Sequence, residues 1–104
     1  MNTTVTSPDP LTLYGETFPS RLLLGTSRYP SPTVLQAAIA ASQPAMLTAS
    51  LRRQTAQGDN TSGFWTLLKQ AQVQVLPNTA GCHSIQEIIT TAEMAREVFE
   101  TNWI

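Results

Sequence analysis

Cys82 and His83 are the most reactive-looking pair in the chain. They stand just ahead of a predicted helix, and a helix N-terminus can lower a thiol pKa. Adjacent residues usually point apart, however, and a nucleophilic thiol needs its base within spatial reach. A metal could instead use His83 with Glu87, one helical turn on, but no third ligand follows at a recognisable spacing. The plainer expectation for "GCHS" is an ordinary turn and cap.

Other polar stretches follow predicted strands. "GTSRYPS" is either a phosphate cradle or a tight turn capped by Ser31, and its one glycine is fewer than phosphate loops use. Arg52 and Arg53 come straight after an apolar run. One of them could meet an anion, because ligands of α/β folds bind beyond the carboxyl ends of strands; a solvated pair opening a polar loop is the alternative. Asn78 and Thr79, in "LPNTAG", occupy the equivalent place on a later strand. Short polar side chains there can touch a substrate or tie neighbouring strands together.

The elements that must position these residues can be read from periodicity. "LTLYGETF" alternates and turns at Gly15, as a short hairpin does. "RLLLGT" and "AMLTASL" are short continuous apolar runs, the pattern of strands buried on both faces. "VQVLP" gives another strand, ended by Pro77, and "TNWI" a last one. Between them lie three predicted helices. The first has Ser31 as N-cap and Pro32 as first residue, and carries Leu35, Ala38 and Ile39. The second is capped by Ser62 and carries Phe64, Leu67, Leu68 and Ala71 at i, i+3, i+4 and i+7. The third opens with the capping-box spacing Ser84…Glu87 and carries Ile85, Ile88, Ile89, Ala92, Ala95 and Phe99 on one face. Alternating strands and helices with short connections imply a parallel sheet with right-handed crossovers, either doubly wound or part of a barrel.

Composition narrows the function class. The chain has 104 residues, 41% of them hydrophobic, and a formal net charge of −1, which fits one globular domain behind a flexible leader over residues 1–10. Six Lys+Arg against seven Asp+Glu leave no surplus to displace counterions, so nucleic acid is not an expected partner. No apolar run approaches the ~20 residues of a membrane span. The opening residues lack the pattern of a secretory signal, and a single cysteine suits a cytoplasmic setting.

The blocks "SRLLLGT…YPSP", "LTASLRR", "VLPNTAGCHS" and "MAREVFETNWI", in this order and spacing, resemble the N-terminal part of bacterial thiazole synthases, from about Leu11 to Ile104. The resemblance implies an α/β fold in which residues 11–104 form parallel βα units, about strands 1–4 of a TIM-type (β/α)8 barrel, incomplete. It implies formation of the thiazole phosphate of thiamine from 1-deoxy-D-xylulose 5-phosphate, a glycine-derived imine and a small sulfur-carrier protein with a C-terminal thiocarboxylate. It also implies a homo-oligomer when full length. A lysine Schiff base activates the sugar; no cofactor or metal is called for. The family's lysine follows the "TNWI" block, whereas the lone lysine here is Lys69, on a predicted amphipathic helix. No catalytic residue carries over. Thr26, Arg52, Asn78 and Thr79 remain as substrate-lining candidates from their places at strand ends.

These features set two main expectations. One is a barrel fragment, inactive alone and prone to association through its open edges. The other is a non-catalytic small α/β binding module derived from the barrel. A complete small enzyme built on Cys82 is a third, and loss of activity in Cys82→Ser would be its signature.

Overall fold

The computed structural model describes residues 9–51 and 61–104. Residues 1–8 of the expected leader, and Arg52 and Arg53 with the rest of the expected polar loop, lie outside the described residues. Asp9 and Pro10, the rest of the leader, are held by Arg21, whose Nη1 donates to Asp9 Oδ1 (3.2 Å) and to the Pro10 carbonyl (2.9 Å).

The chain begins with an antiparallel hairpin of β1 (Leu11–Leu13) and β2 (Glu16–Phe18), with Leu13 opposite Glu16. Two residues turn it, Tyr14 (φ 49°) and Gly15 (φ 82°). Positive φ at both positions is the type I′ geometry that matches strand twist.

Three parallel strands form the main sheet: β3 (Leu23–Gly25), β4 (Met46–Ser50) and β5 (Gln74–Asn78), in that order. The register is Leu23–Met46–Gln74, then Gly25–Thr48–Leu76, with Ser50 opposite Asn78. The order never reverses. Successive right-handed crossovers of this kind place their helices on one face, as in a barrel or in one half of a doubly wound sheet.

The helices α1 (Pro32–Ser42), α2 (Thr61–Gln70) and α3 (Ile85–Phe99) run between and after these strands. The core forms where α1 and α2 meet the sheet: Leu35, Ile39, Leu67 and Leu68 pack with Leu47, Ala49 and Val75. Leu24, Phe64, Ala71 and Phe99 close its margins. Among buried side chains, no nitrogen or oxygen is left without a hydrogen-bond partner within the described residues.

Two of the three expected caps form. Val34 N–H donates to Ser31 Oγ at the start of α1, and Glu87 N–H donates to Ser84 Oγ (3.1 Å) at the start of α3. Glu87 Oε1 reaches back to His83 N–H (2.8 Å), one residue earlier than the usual capping box. Removing the hydroxyl in Ser84→Ala should cost about 1 kcal/mol. For a chain of this size that is a fall in melting temperature of about 4–8 °C, to be checked by circular dichroism. A shift under ~1 °C would mean the cap contributes nothing.

The structure corrects several sequence expectations. β3 is not buried on both faces: it is an edge strand, and Leu22 and Leu23 are 42% and 44% exposed. α3 does not bury its isoleucines. Ile85, Ile88 and Ile89 are exposed, and the buried residues are Thr91 and Ala95. Small side chains let the helix backbone approach β5 closely, and that outweighs the bulkier apolar stripe. Ser62 lies inside α2 and does not precede it. Pro77 lies inside β5, opposite Ala49, instead of ending the strand. The carbonyl of Val75 is bonded by the Gln74 side chain, so it faces away from β4. Pro77 has the same orientation as Val75, so its missing N–H subtracts nothing from the β4–β5 ladder.

"TNWI" is not a fourth strand, so the described parallel sheet has three strands. Side chains occupy the bonds a ladder would use. Gln74 Nε2 donates to both the Val75 carbonyl and Thr101 Oγ1 (2.9 Å each), and Trp103 N–H donates to Thr101 Oγ1 (3.1 Å). Trp103 turns to the hairpin instead, with Tyr14 and Phe18 edge-on to it at 5.9 and 6.2 Å between ring centres.

Candidate functional site

The core covers one face of the sheet. The other face carries Met46, Thr48 and Ser50 from β4, Gly25 from β3, and Leu76 and Asn78 from β5, because strand residues alternate. Exposure across it is uneven, and Leu23, level with Met46, is 44% exposed. Met46 is buried, Thr48, Ser50 and Leu76 are half-buried, and Gly25 and Asn78 are exposed. This open, polar strand-end face is the candidate site.

Its geometry is fixed by bonds from the turn after β5. Ala80 N–H donates to Asn78 Oδ1 (3.0 Å), a local turn that holds the side chain and leaves the amide NH2 outward. Ser50 Oγ donates to the Ala80 carbonyl (3.3 Å), fastening β4 to the same turn. The turn closes with Cys82 N–H donating to the Thr79 carbonyl, and Gly81 (φ 89°) takes the third position. That position needs positive φ in a type II turn.

The sequence-chosen residues divide. Asn78 is on the open face, with half-buried Thr79 beginning the turn beside it. Thr26 is elsewhere. It is only 5% exposed, and its hydroxyl donates to the Thr48 carbonyl (2.8 Å), tying β3 to β4. It lines a cavity of about 490 Å³ on the helix side, with Arg28, Tyr29, Ser31, Phe64 and Leu67. A one-residue step from Gly25 reverses the face, so Thr26 and Asn78 do not share a site. Arg52 lies outside the described residues.

Sequence reasoning missed Gly25, Thr48 and Ser50. The alternation inside "LTAS" was the available signal: two hydroxyls two residues apart in an otherwise apolar strand share one face.

The other candidates take the plainer roles. Ser31 Oγ is used by the α1 cap. The Cys82 thiol donates to Thr91 Oγ1 (3.3 Å) and lies 3.6 Å from the Glu87 carbonyl oxygen, packing the turn against α3. His83 contributes its backbone N–H to Glu87. Among the described residues, no three His, Cys, Asp or Glu side chains converge as a metal site. Nor is any helix there long and apolar enough to cross a membrane. The hydroxyls of Thr48 and Ser50 and the amide of Asn78 can orient a polar ligand; their ordinary chemistry gives no acid or base near neutral pH.

Residues 12–104 match the family model described as thiazole biosynthesis protein ThiG. A thiazole synthase of Variovorax paradoxus is 66% identical over 99 residues, covering 92% of this chain and 36% of that protein. One of Paracidovorax citrulli is 66% identical over 99 residues, covering 94% and 37%. One of Neisseria meningitidis serogroup C is 64% identical over 95 residues, covering 90% and 36%. The chain thus spans little more than a third of the length of these relatives.

Proposed function

The chain belongs to the family of thiazole biosynthesis protein ThiG, and we propose on that premise that it forms the opening βα units of a thiazole synthase barrel. The family match over residues 12–104 is the observation that carries this reading, and the unreversed parallel order β3-β4-β5 is compatible with it. Such a barrel binds substrate at the carboxyl ends of its strands. Here that end presents Thr48, Ser50 and Asn78, with Thr79 beginning the turn beside them.

The reaction of the whole enzyme makes thiazole phosphate for thiamine. Its inputs are 1-deoxy-D-xylulose 5-phosphate, a glycine-derived imine and sulfur from the thiocarboxylate of a small carrier protein. A lysine amine condenses with the sugar ketone and releases water. The resulting iminium draws electrons from the neighbouring carbon and eases proton removal there. Working in the cytoplasm as a homo-oligomer fits this role. This chain's share is binding and orientation. Its only lysine, Lys69, sits exposed in the last turn of α2. A crossover helix runs antiparallel to its strands, so that turn lies at the amino ends of the sheet, opposite the candidate site. The chain alone therefore binds without turnover.

The test uses the isotopically labelled chain in solution. Adding 1-deoxy-D-xylulose 5-phosphate should shift the backbone NMR signals of Thr48, Ser50, Asn78 and Thr79, and borohydride should add no mass at Lys69. Shifts confined to the Thr26 cavity, or a reduced sugar adduct on Lys69, would sink the assignment.

The small binding module remains a second reading, favoured by a core that closes with the buried polar side chains of the described residues paired. Calorimetry against the thiocarboxylate-bearing carrier separates the two. Tight carrier binding with no sugar-phosphate binding would select the module.

A further inference from the structure

We propose that Gly25 and Thr48 form the floor of a niche that seats a hydroxyl or carbonyl oxygen from the neutral part of a sugar phosphate. This deepens the site reading above and rests on it.

Gly25 has no reason of its own to be glycine. It closes β3, where a residue without a side chain weakens the strand. Its backbone does not demand glycine, since its φ is not positive. Packing does not demand it either. A Cβ built there would find Thr48 Oγ1 at 3.8 Å, an ordinary contact, as its one neighbour within 4 Å. With both internal reasons gone, the open space belongs to something that approaches the strand from outside.

Thr48 supplies the second observation. It is directly opposite Gly25 in the register, and the contact above puts the two on one face. Its carbonyl is taken by Thr26, but its hydroxyl has no hydrogen-bond partner among the described residues. The residue is half-buried and β-branched, so the hydroxyl is presented with little freedom to lose. Leu76 is next across the ladder. The niche therefore offers a gap, one hydroxyl and an apolar wall, and no cation. That suits the keto or hydroxyl end of the sugar with its carbon skeleton against Leu76, and does not suit the phosphate.

The experiment compares the 104-residue chain with Gly25→Ala and Thr48→Val by NMR titration with 1-deoxy-D-xylulose 5-phosphate, using inorganic phosphate as a separate probe. Gly25→Ala should keep the fold and raise its melting temperature by a few degrees, yet bind the sugar phosphate at least tenfold more weakly. Thr48→Val should keep the fold and lose about tenfold, the value of one hydrogen bond. Inorganic phosphate should leave Gly25 and Thr48 signals in place. Affinity unchanged within twofold in both variants would overturn the niche while leaving the strand-end site standing. So would phosphate alone shifting these two residues. If the unaltered chain does not bind the sugar phosphate, the site reading itself fails and the niche falls with it.

Discussion

Leu47→Ala should bring the chain close to global unfolding. Leu47 is wholly buried in the central strand of the parallel sheet, in the cluster shared by α1, α2 and both neighbouring strands. Truncation removes three heavy atoms where layers from both directions meet, and the surroundings can collapse little. The expected loss is about 3–4 kcal/mol, against a total of about 5–15 kcal/mol for an ordinary domain. A chain this short sits toward the lower part of that range because less of its surface is buried. In urea the unfolding midpoint should drop by about 2–4 M at a slope of ~1–1.5 kcal/mol per M. Far-ultraviolet circular dichroism would follow it. A midpoint moved by less than ~0.5 M would mean that Leu47 is not at the centre of the core.

Trp65→Ala is the second large effect. The indole links two helices: it meets Phe64 at 4.9 Å and Phe99, at the end of α3, at 5.2 Å between ring centres, edge-to-face in both cases. Such pairs add about 0.5–1.5 kcal/mol each to the value of the buried area. The half-buried position lowers the usual truncation cost, so about 2–3 kcal/mol is expected. Trp65→Phe should recover most of it by keeping an edge-to-face partner. Because the chain has two tryptophans, the variant also leaves Trp103 as sole emitter. Its fluorescence would then report the hairpin contact separately from the core. Equal stability of the Ala and Phe variants would show that α2 and α3 are held together by something other than these rings.

Much of the fold was legible because its signals are local. The hairpin needs only Tyr14-Gly15 between alternating residues, and the cap at Ser31 only a hydroxyl before Pro32. The buried faces of α1 and α2 follow from leucines and isoleucine at helical spacing. The misreadings share one cause, which is that tertiary context chose among local options. On α3 the sequence favours the isoleucine stripe, but the sheet takes Thr91 and Ala95 because close approach needs small residues. At the end of the chain, Trp103 and Ile104 have strand propensity, yet the Gln74 amide claims the bonds a strand would make.

The site was legible only in part, for a related reason. Asn78 announces itself by following a strand and preceding a turn. Thr26 satisfies the same description and points the other way, since parity, not proximity to the strand end, decides the face. Gly25 and Thr48 become visible only once β3 and β4 are aligned, because a lone glycine and a threonine 23 positions apart carry no joint pattern in the sequence.

The outer border of β5 has a consequence for how the molecule behaves at high concentration. An unguarded strand recruits copies of itself and seeds fibres. This border is blunted twice: a side-chain amide already sits on one carbonyl, and the proline two residues on provides no donor. A passing strand would find a rung already occupied and another missing. Polymerisation through this side is thereby discouraged by the chain's own chemistry. Replacing Gln74 and Pro77 together would strip both guards and should turn a dispersed solution into one that forms thioflavin-positive aggregates.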